Sequence, residues 1–225
     1  MTTSTSRRSC VELTDAFPDL PANLAAIRAR IGDDVAILAV TKGFGPEAVA
    51  AAAAAGCPAI GENYAQELVT KADAVRAAAV EVHFIGQLQT NKVRQLAELV
   101  DVWETVDRPR VVAELARRVP GARLLVQVDT TGEAGKGGCA VADVAGLVAA
   151  ARDVGLVVEG LMTVGPTSGG PEASRAGFRT VRRLATELGL ATCSMGMSAD
   201  LDVAVAEGAT EVRVGTALFG PRTRR

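Results

Sequence analysis

Short apolar runs alternate with longer alanine-rich segments along most of the 225-residue chain. Residues 35–40 are continuously apolar, which is typical of a parallel strand that is covered on both faces. The alternation predicts eight strands separated by helices. We predict the strands at residues 35–41, 59–62, 82–86, 102–106, 123–129, 157–162, 192–196 and 211–215.

The segments between the strands carry helix signals at both ends. Pro46 and Pro109 suit the first helical turn, where a missing N–H costs nothing, and Gly56 and Gly155 suit helix ends. One more helix is predicted before the first strand. The predicted helices cover residues 20–31, 46–55, 64–79, 91–99, 109–119, 141–154, 172–188 and 199–207.

Eight strands, each followed by a helix or by the chain end, favour the α/β class and a single (β/α)8 TIM-type barrel with an extra N-terminal helix. A doubly wound open sheet ranks second, because it would need fewer strands. We expect the barrel to span residues 20–221. A polar, flexible segment at 1–19 is expected before it and a basic tail at 222–225 after it.

Composition narrows the class of function. The formal net charge is -2, so the chain has no basic field of the kind that attracts nucleic acid. The apolar runs are too short to span a bilayer and no secretory leader is recognisable, so we expect a cytoplasmic protein without a membrane partner. Four scattered cysteines and a single histidine lack the spacing of zinc ligands.

Chemistry in a barrel of this kind is expected at the C-terminal ends of the strands. Lys42 directly follows the first predicted strand, where partial desolvation would favour the free amine that a Schiff base requires. The alternative is a solvated lysine in a loop between strand and helix.

Two segments near the end of the chain indicate a phosphate site. Residues 194–200 and 211–220 follow or close the seventh and eighth strands, where barrels commonly bind phosphate. Backbone N–H groups near Gly215 and the hydroxyls of Ser198 and Thr216 could donate to it. The alternative is that Ser198 only caps a helix and that the glycines only form turns.

Arg213 is the charged residue we associate with this site. It shares side-chain parity with Gly215, so both are expected to face the barrel interior. A buried guanidinium needs an acceptor, which a cofactor ring nitrogen could supply. An ion pair with a barrel carboxylate, such as Glu62 or Asp129, is the alternative. His83 lies in an apolar run and is interpreted as a hydrogen-bonded core histidine rather than a general base.

Residues 132–138 form a glycine-rich segment with one lysine. A nucleotide phosphate loop has Ser or Thr after its lysine, whereas Gly137 follows Lys136 here. Cys139 lies beside this segment without a base to activate its thiol. We therefore predict neither a nucleoside triphosphatase nor a reactive thiol.

Several motifs, taken in order, resemble those of a known family. They lie between Val35 and Pro221, in the family's order and at comparable spacing. In this sequence they are Ala39-Val40-Thr41-Lys42, Gly61-Glu62-Asn63-Tyr64, His83-Phe84-Ile85-Gly86, Leu88-Gln89-Thr90-Asn91-Lys92, Gly160-Leu161-Met162, and residues 194–198 and 212–220. Together they resemble the pyridoxal phosphate homeostasis proteins.

This resemblance implies a fold similar to the N-terminal barrel domain of alanine racemase, with pyridoxal phosphate (PLP) held as an internal aldimine on Lys42. By motif matching it places Asn63 beside the cofactor and Arg213 opposite the pyridine nitrogen. It assigns the phosphate group to Ser198, Gly215 and Thr216. The implied function is intracellular PLP homeostasis, with PLP-dependent apoenzymes as partners and a monomer or weak dimer as the assembly.

The chain departs from the family's pattern after Lys42. Members often have a proline next, whereas this chain continues Gly43-Phe44-Gly45-Pro46. The extra glycine is expected to make the loop over the cofactor more mobile.

Efficient catalysis is not expected. Arginine does not readily give up a proton, so a ring nitrogen that faces Arg213 would stay unprotonated and the cofactor would be a poor electron sink. Two-domain racemases with this barrel take an opposing acid/base from a second domain. We expect no such domain in the few residues after the last strand, and Tyr64 is a poor substitute.

Storage and delivery of PLP are therefore favoured over turnover. The alternatives are a single-domain PLP-dependent racemase of low activity, a cofactor-free Schiff-base aldolase that acts on a phosphorylated sugar, and a protein-interaction module. A yellow colour in the purified protein would separate the two PLP-binding hypotheses from the other two.

Overall fold

Eight parallel strands form a closed ring in the computed structural model, which describes residues 16–221. Pairing between the fourth and fifth strands closes the ring, so the predicted (β/α)8 barrel is confirmed. The strands are β1 Ala36–Val40, β2 Ala59–Glu62, β3 Glu81–Phe84, β4 Val102–Val106, β5 Arg123–Asp129, β6 Cys139–Ala140, β7 Val157–Met162, β8 Thr192–Ser194 and β9 Glu211–Val214. Of these, β6 has two residues, pairs only with β5 and lies outside the ring.

Helices surround the ring, and the extra N-terminal helix packs against the last two helices of the chain. They are α1 Leu20–Ile31, α2 Pro46–Ala54, α3 Ala65–Thr70, α4 Ala72–Ala78, α5 Thr90–Leu96, α6 Pro109–Arg118, α7 Val144–Asp153, α8 Arg175–Glu187, α9 Leu201–Ala206 and α10 Thr216–Phe219. Pro46 and Pro109 occupy the first helical positions of α2 and α6, as predicted. Of the predicted terminal segments, residues 1–15 and 222–225 lie outside the described residues.

The segment predicted as one helix at 64–79 forms two helices, and the break between them lies at Lys71. The Lys71 side chain turns into the protein and is only 2 % exposed.

The helix predicted from residue 199 begins at Leu201 instead, with Asp200 before it. Asp200 accepts a hydrogen bond from the backbone N–H of Met197 at 2.7 Å, which forms a turn over residues 197–200. The suggestion that Ser198 caps this helix is therefore wrong.

The hydrophobic core lies mainly between the strands and the helices around them. Trp103 of β4 and Leu68 of α3 are both fully buried there. A smaller apolar cluster of Val102, Leu125 and Met162 lies inside the barrel. Polar and charged side chains occupy much of the remaining interior, and these form the site described next. Within residues 16–221 no helix is both long and apolar enough to cross a membrane.

Candidate functional site

The strand register brings four of the predicted residues to one sector of the barrel mouth. Val40 is paired with Gly61, and Ala39 with Val214, in the parallel ladders of β1 with β2 and β9. Two residues further on, Lys42 and Asn63 follow the ends of β1 and β2. Gly215 directly follows β9. The C-terminal ends of β1, β2 and β9 thus carry Lys42, Asn63, and Gly215 with Thr216.

Several contacts hold the loop that follows Lys42. Lys42 itself is half-buried, and the N–H of Phe44 donates to the carbonyl of Thr41 at 3.1 Å. Gly43 has a φ of 77°, a left-handed conformation that glycine adopts without strain, and its N–H donates to Glu67 at 2.8 Å. These bonds favour an ordered turn rather than the loose loop expected from the extra glycine.

Phe44 adds an aromatic anchor to this loop. Its ring lies 5.6 Å from that of Phe17 and 5.3 Å from that of Phe219. Phe17 precedes α1 and Phe219 belongs to α10, so the loop after Lys42 is packed against both ends of the described chain. Ring pairs at such separations add about 0.5–1.5 kcal/mol beyond the area that they bury.

A buried ion pair lies directly behind the strand ends. Lys71 donates to Glu62 at 2.6 Å and to the carbonyl of Thr41 at 2.8 Å. Thr41 also donates its hydroxyl to Glu62 at 2.5 Å. Burial raises the pKa of Glu62, although the charge and hydrogen bond of Lys71 offset part of that effect. Thr41 and Glu62 each precede a site residue, so these bonds position the backbone at Lys42 and Asn63.

The two predicted phosphate segments lie at the ends of β8 and β9. Gly215 stands before α10, where a Cβ would lie 3.2 Å from the carbonyl oxygen of Val40, so the tight approach of β9 to β1 favours glycine. Thr216 is exposed, and Ser198 is half-buried in the turn at 197–200. Both hydroxyls are thus on the mouth side of the barrel, on neighbouring segments.

Arg213 is buried inside the barrel and its guanidinium spans three strands. It donates to the Ser194 carbonyl at 2.6 Å, to the Ser194 hydroxyl at 2.7 Å and to the Thr163 carbonyl at 2.6 Å. Neither carboxylate proposed as an alternative partner is involved. Glu62 bonds to Lys71, and Asp129 accepts from the backbone of its own loop, so neither of these two carboxylates pairs with Arg213.

The partners of Arg213 extend into a larger network. The Ser194 hydroxyl donates to Glu104 at 2.6 Å, and Glu104 lies 2.6 Å from Nδ1 of His83. Nε2 of His83 lies 2.7 Å from Glu81. We call these five residues, from Glu81 through His83, Glu104 and Ser194 to Arg213, the interior network. His83 is therefore a buried, hydrogen-bonded histidine, as interpreted from the sequence.

Charge in the interior network changes the ionisation of its members. Burial alone would lower the pKa of His83, but hydrogen bonds to Glu104 and Glu81 raise it to about 10, so both ring nitrogens carry protons at neutral pH. Burial disfavours the charged form of Glu104, yet the bond to His83 lowers its pKa overall. The pKa of nearby Glu211 is shifted in the opposite direction, because burial and the charge of Glu104 raise it to about 8.

A cavity of about 150 Å³ opens on the other side of the mouth, and none of the six predicted site residues lines it. Lys136 does line it, and donates to the Gly165 carbonyl at 2.5 Å. Sequence reasoning had considered Lys136 only as part of a phosphate loop. It also missed Glu104, whose single charge within the apolar strand β4 was the available signal.

Comparison with known proteins agrees with this architecture. The sequence model of the alanine racemase N-terminal domain family matches residues 18–223. The pyridoxal phosphate homeostasis protein of Pseudomonas aeruginosa is 40% identical over 217 residues, which cover 89% of this chain and 94% of that protein. Its counterpart in Aquifex aeolicus is 38% identical, over 88% of this chain and 92% of that protein.

Solved structures agree as well. PipY of Synechococcus elongatus, determined with PLP bound, superposes with a TM-score of 0.82 at 32% identity, over 89% of this chain and 100% of that chain. Lysine decarboxylase from Selenomonas ruminantium gives a TM-score of 0.70 at 19% identity, over 96% of this chain and 67% of that chain, which is evidence for the shared fold alone. The chain therefore belongs to the alanine racemase N-terminal domain family and, within it, to the pyridoxal phosphate homeostasis proteins.

Proposed function

We propose that this chain binds PLP covalently through Lys42 and serves PLP homeostasis by storing the cofactor and releasing it to PLP-dependent apoenzymes. The observation that carries this proposal is the register that brings Lys42, Asn63 and Gly215 to one sector of the mouth. An amine, a polar side chain and a close backbone approach are the groups that a phosphorylated aldehyde requires.

The residues present fit PLP in their donor chemistry. Lys42 supplies the amine for the cofactor's aldehyde, and Ser198, Thr216 and the backbone at Gly215 supply donors for its phosphate. Arg213 supplies a cation inside the barrel for the pyridine nitrogen, and Asn63 lies beside Lys42. When bound, PLP supplies an aldehyde that exchanges between amines. A reversible bond of this kind suits a protein that must give its cofactor up.

Binding and release are favoured over catalysis by two features of the described residues. Arg213 is held by three hydrogen bonds, and a guanidinium can donate a hydrogen bond to the ring nitrogen without transferring a proton to it. Tyr64 stands at the start of α3 with 52% of its surface exposed, so it lacks the enclosed setting of a second catalytic base. The racemase hypothesis would need such a group.

Transfer of the cofactor tests this proposal. The protein freed of PLP is titrated with PLP and the visible absorbance is recorded; the loaded protein is then mixed with an aminotransferase stripped of its cofactor. We expect a saturable visible band and recovery of aminotransferase activity, both lost in Lys42→Ala. A colourless wild-type protein would contradict binding, and a coloured protein that restores no activity would contradict delivery. Cell fractionation and sedimentation would test the expected cytoplasmic location and the monomer or weak dimer.

A further inference from the structure

The interior network connects the proposed cofactor site to the opposite end of the barrel. Glu81 stands at the start of β3, and its side chain is 36% exposed. From there each member bonds to the next, with distances of 2.6 to 2.7 Å, until Ser194 meets Arg213. A continuous chain of short, charge-assisted hydrogen bonds is stiff, because each bond fixes the orientation of its neighbour.

Glu104 is the central member of the interior network. It is fully buried, and its two oxygens have different partners: Oε1 lies against His83, and Oε2 accepts from Ser194. The Ser194 hydroxyl has one proton, which it gives to Glu104, so its lone pairs face the guanidinium of Arg213. Glu104 is thus the acceptor that turns the lone pairs of that hydroxyl toward Arg213.

We propose that Glu104 is a positioning residue for the cofactor, because its carboxylate, held by His83, orients Ser194 and through it Arg213. This inference rests on the proposed function, since it takes Arg213 as the residue that faces the cofactor ring. Glu104 acts through two other side chains and touches no ligand itself. It also supplies the negative charge that a guanidinium buried inside the barrel requires.

Charge balance supports this role. The ionisable groups that face the network are Glu81 and His83 on β3, Glu104 on β4, Arg123 on β5, Glu159 on β7, and Glu211 and Arg213 on β9. At neutral pH the three cations, His83, Arg123 and Arg213, are matched by three carboxylates, Glu81, Glu104 and Glu159. Glu211 is the remaining acid, and its pKa of about 8 leaves it protonated. Loss of the Glu104 charge would leave one cation unmatched.

The same residues include a set that could be taken for a metal site. Ligand atoms of His83, Glu104 and Glu211 lie within 4.8 Å of one another. Metal–ligand distances of about 2.0–2.1 Å place two ligands of one ion about 2.9 Å apart or more. Nδ1 of His83 and Oε1 of Glu104 are only 2.6 Å apart, which is a hydrogen-bond distance. A dication there would also lie close to Arg213, so a proton-held network is favoured.

Two buried glutamates of the same cluster provide the test. Glu104→Gln removes a charge with little change of shape, whereas Glu211→Gln replaces a carboxyl group that is already neutral at pH 7. We expect the affinity for PLP, measured by absorbance titration at pH 7, to fall roughly tenfold in Glu104→Gln and by less than about twofold in Glu211→Gln. Equal losses in the two variants would overturn the inference, because general damage to packing would explain them.

A third variant covers the case in which Glu104→Gln does not fold. Ser194→Ala removes the bridging hydroxyl but keeps both the carboxylate of Glu104 and the backbone carbonyl that Arg213 uses. We expect a several-fold loss of PLP affinity in this variant, again at pH 7. Wild-type affinity in Ser194→Ala would overturn the inference on its own.

The protein without PLP gives an independent readout. His83 is the single histidine of the chain, so its ring resonances in an untagged protein can be assigned directly. We expect the pKa of His83 from an NMR titration to be raised in the wild type, to fall in Glu104→Gln and to stay raised in Ser194→Ala. Selective broadening of these resonances by one equivalent of Mn²⁺ in the wild type would overturn the inference in favour of a metal site.

These outcomes separate the inference from the function on which it rests. A wild-type protein that binds no PLP would overturn both. A wild-type protein that binds PLP, together with Glu104→Gln and Ser194→Ala variants that bind it equally well, would overturn the positioning role of Glu104 alone.

Discussion

The ammonium of Lys71 and the carboxylate of Glu62 lie 2.6 Å apart, in an ion pair whose side chains are 2% and 0% exposed. Lys71 also donates to the carbonyl of Thr41, the residue before Lys42. Glu62 precedes Asn63. The pair therefore connects the end of β1 to the end of β2, next to the site residues Lys42 and Asn63 that follow these strands.

Removing one partner of this pair is expected to be costly. Lys71→Met would leave the Glu62 carboxylate buried without its counter-charge, and we expect the free energy of unfolding to fall by about 3–5 kcal/mol. Urea denaturation measures this change. The double variant Glu62→Gln with Lys71→Met retains neither charge and should recover part of the loss. Equal losses in the single and double variants would contradict the importance of the ion pair.

The phosphate assignment predicts a moderate effect on binding. Ser198→Ala and Thr216→Ala each remove one hydroxyl donor while the backbone donors remain. A charge-assisted hydrogen bond contributes about 1.5–3 kcal/mol, so each variant should weaken PLP binding roughly tenfold or somewhat more. Thr180→Ala is the matched control, because Thr180 is a half-buried threonine on α8 whose hydroxyl bonds to the carbonyl of Ala176. Unchanged affinity in the Ser198 and Thr216 double variant would place the phosphate elsewhere.

The raised pKa of Glu211 predicts a pH dependence of stability. Its folded value of about 8 exceeds the ordinary 4.5, so the folded state holds the proton more tightly than the unfolded chain. The stability that this proton contributes is present below about pH 4.5 and is lost as the pH rises through 8. His83 acts in the same direction at higher pH, since its folded pKa of about 10 exceeds the ordinary 6.5.

Glu211→Gln should therefore flatten the pH dependence between pH 5 and 8. The amide resembles the protonated carboxyl and does not ionise, so the variant should match the wild type near pH 5 and exceed its stability near pH 8. Urea midpoints across this range measure the difference. Parallel curves for the two proteins would contradict a raised pKa at Glu211.

Local patterns were sufficient to predict the barrel. Several strands are short apolar runs bounded by turn residues, and Pro46 and Pro109 mark helix starts wherever they lie in the fold. The break at Lys71 could not be predicted in this way. Residues 64–79 have an uninterrupted helical composition, and the chain turns there because Lys71 reaches Glu62, on a neighbouring strand.

The partners of Arg213 depend on closure of the barrel. Its parity predicted that it faces the interior, but its acceptors come from Ser194, which ends β8, and from Thr163, which directly follows β7. Glu104 is 90 residues from Ser194 in sequence. The single charge in β4 marks Glu104 as unusual, but only the ring geometry decides whether Glu104, Glu62 or Asp129 lies near Arg213.

Catalysis is predicted to be absent or slow. Arg213 should keep the ring nitrogen unprotonated, which removes most of the electron sink that carbanion chemistry requires. The loaded protein is incubated with L-alanine and other amino acids, and enantiomeric composition and keto-acid formation are measured against Lys42→Ala. We expect both proteins to give equally little product. Robust turnover that depends on Lys42 would overturn the carrier function in favour of a PLP-dependent enzyme.

The attachment site of the cofactor is the most direct test of this account. The loaded wild-type protein is reduced with borohydride, which fixes the imine bond, and then digested for peptide mapping. We expect the pyridoxyl group on Lys42. Lys136→Ala, which changes another lysine near the mouth, should keep both the visible band and this adduct. An adduct on Lys136, Lys71 or Lys92 in the wild type, or a visible band that survives in Lys42→Ala, would contradict the account.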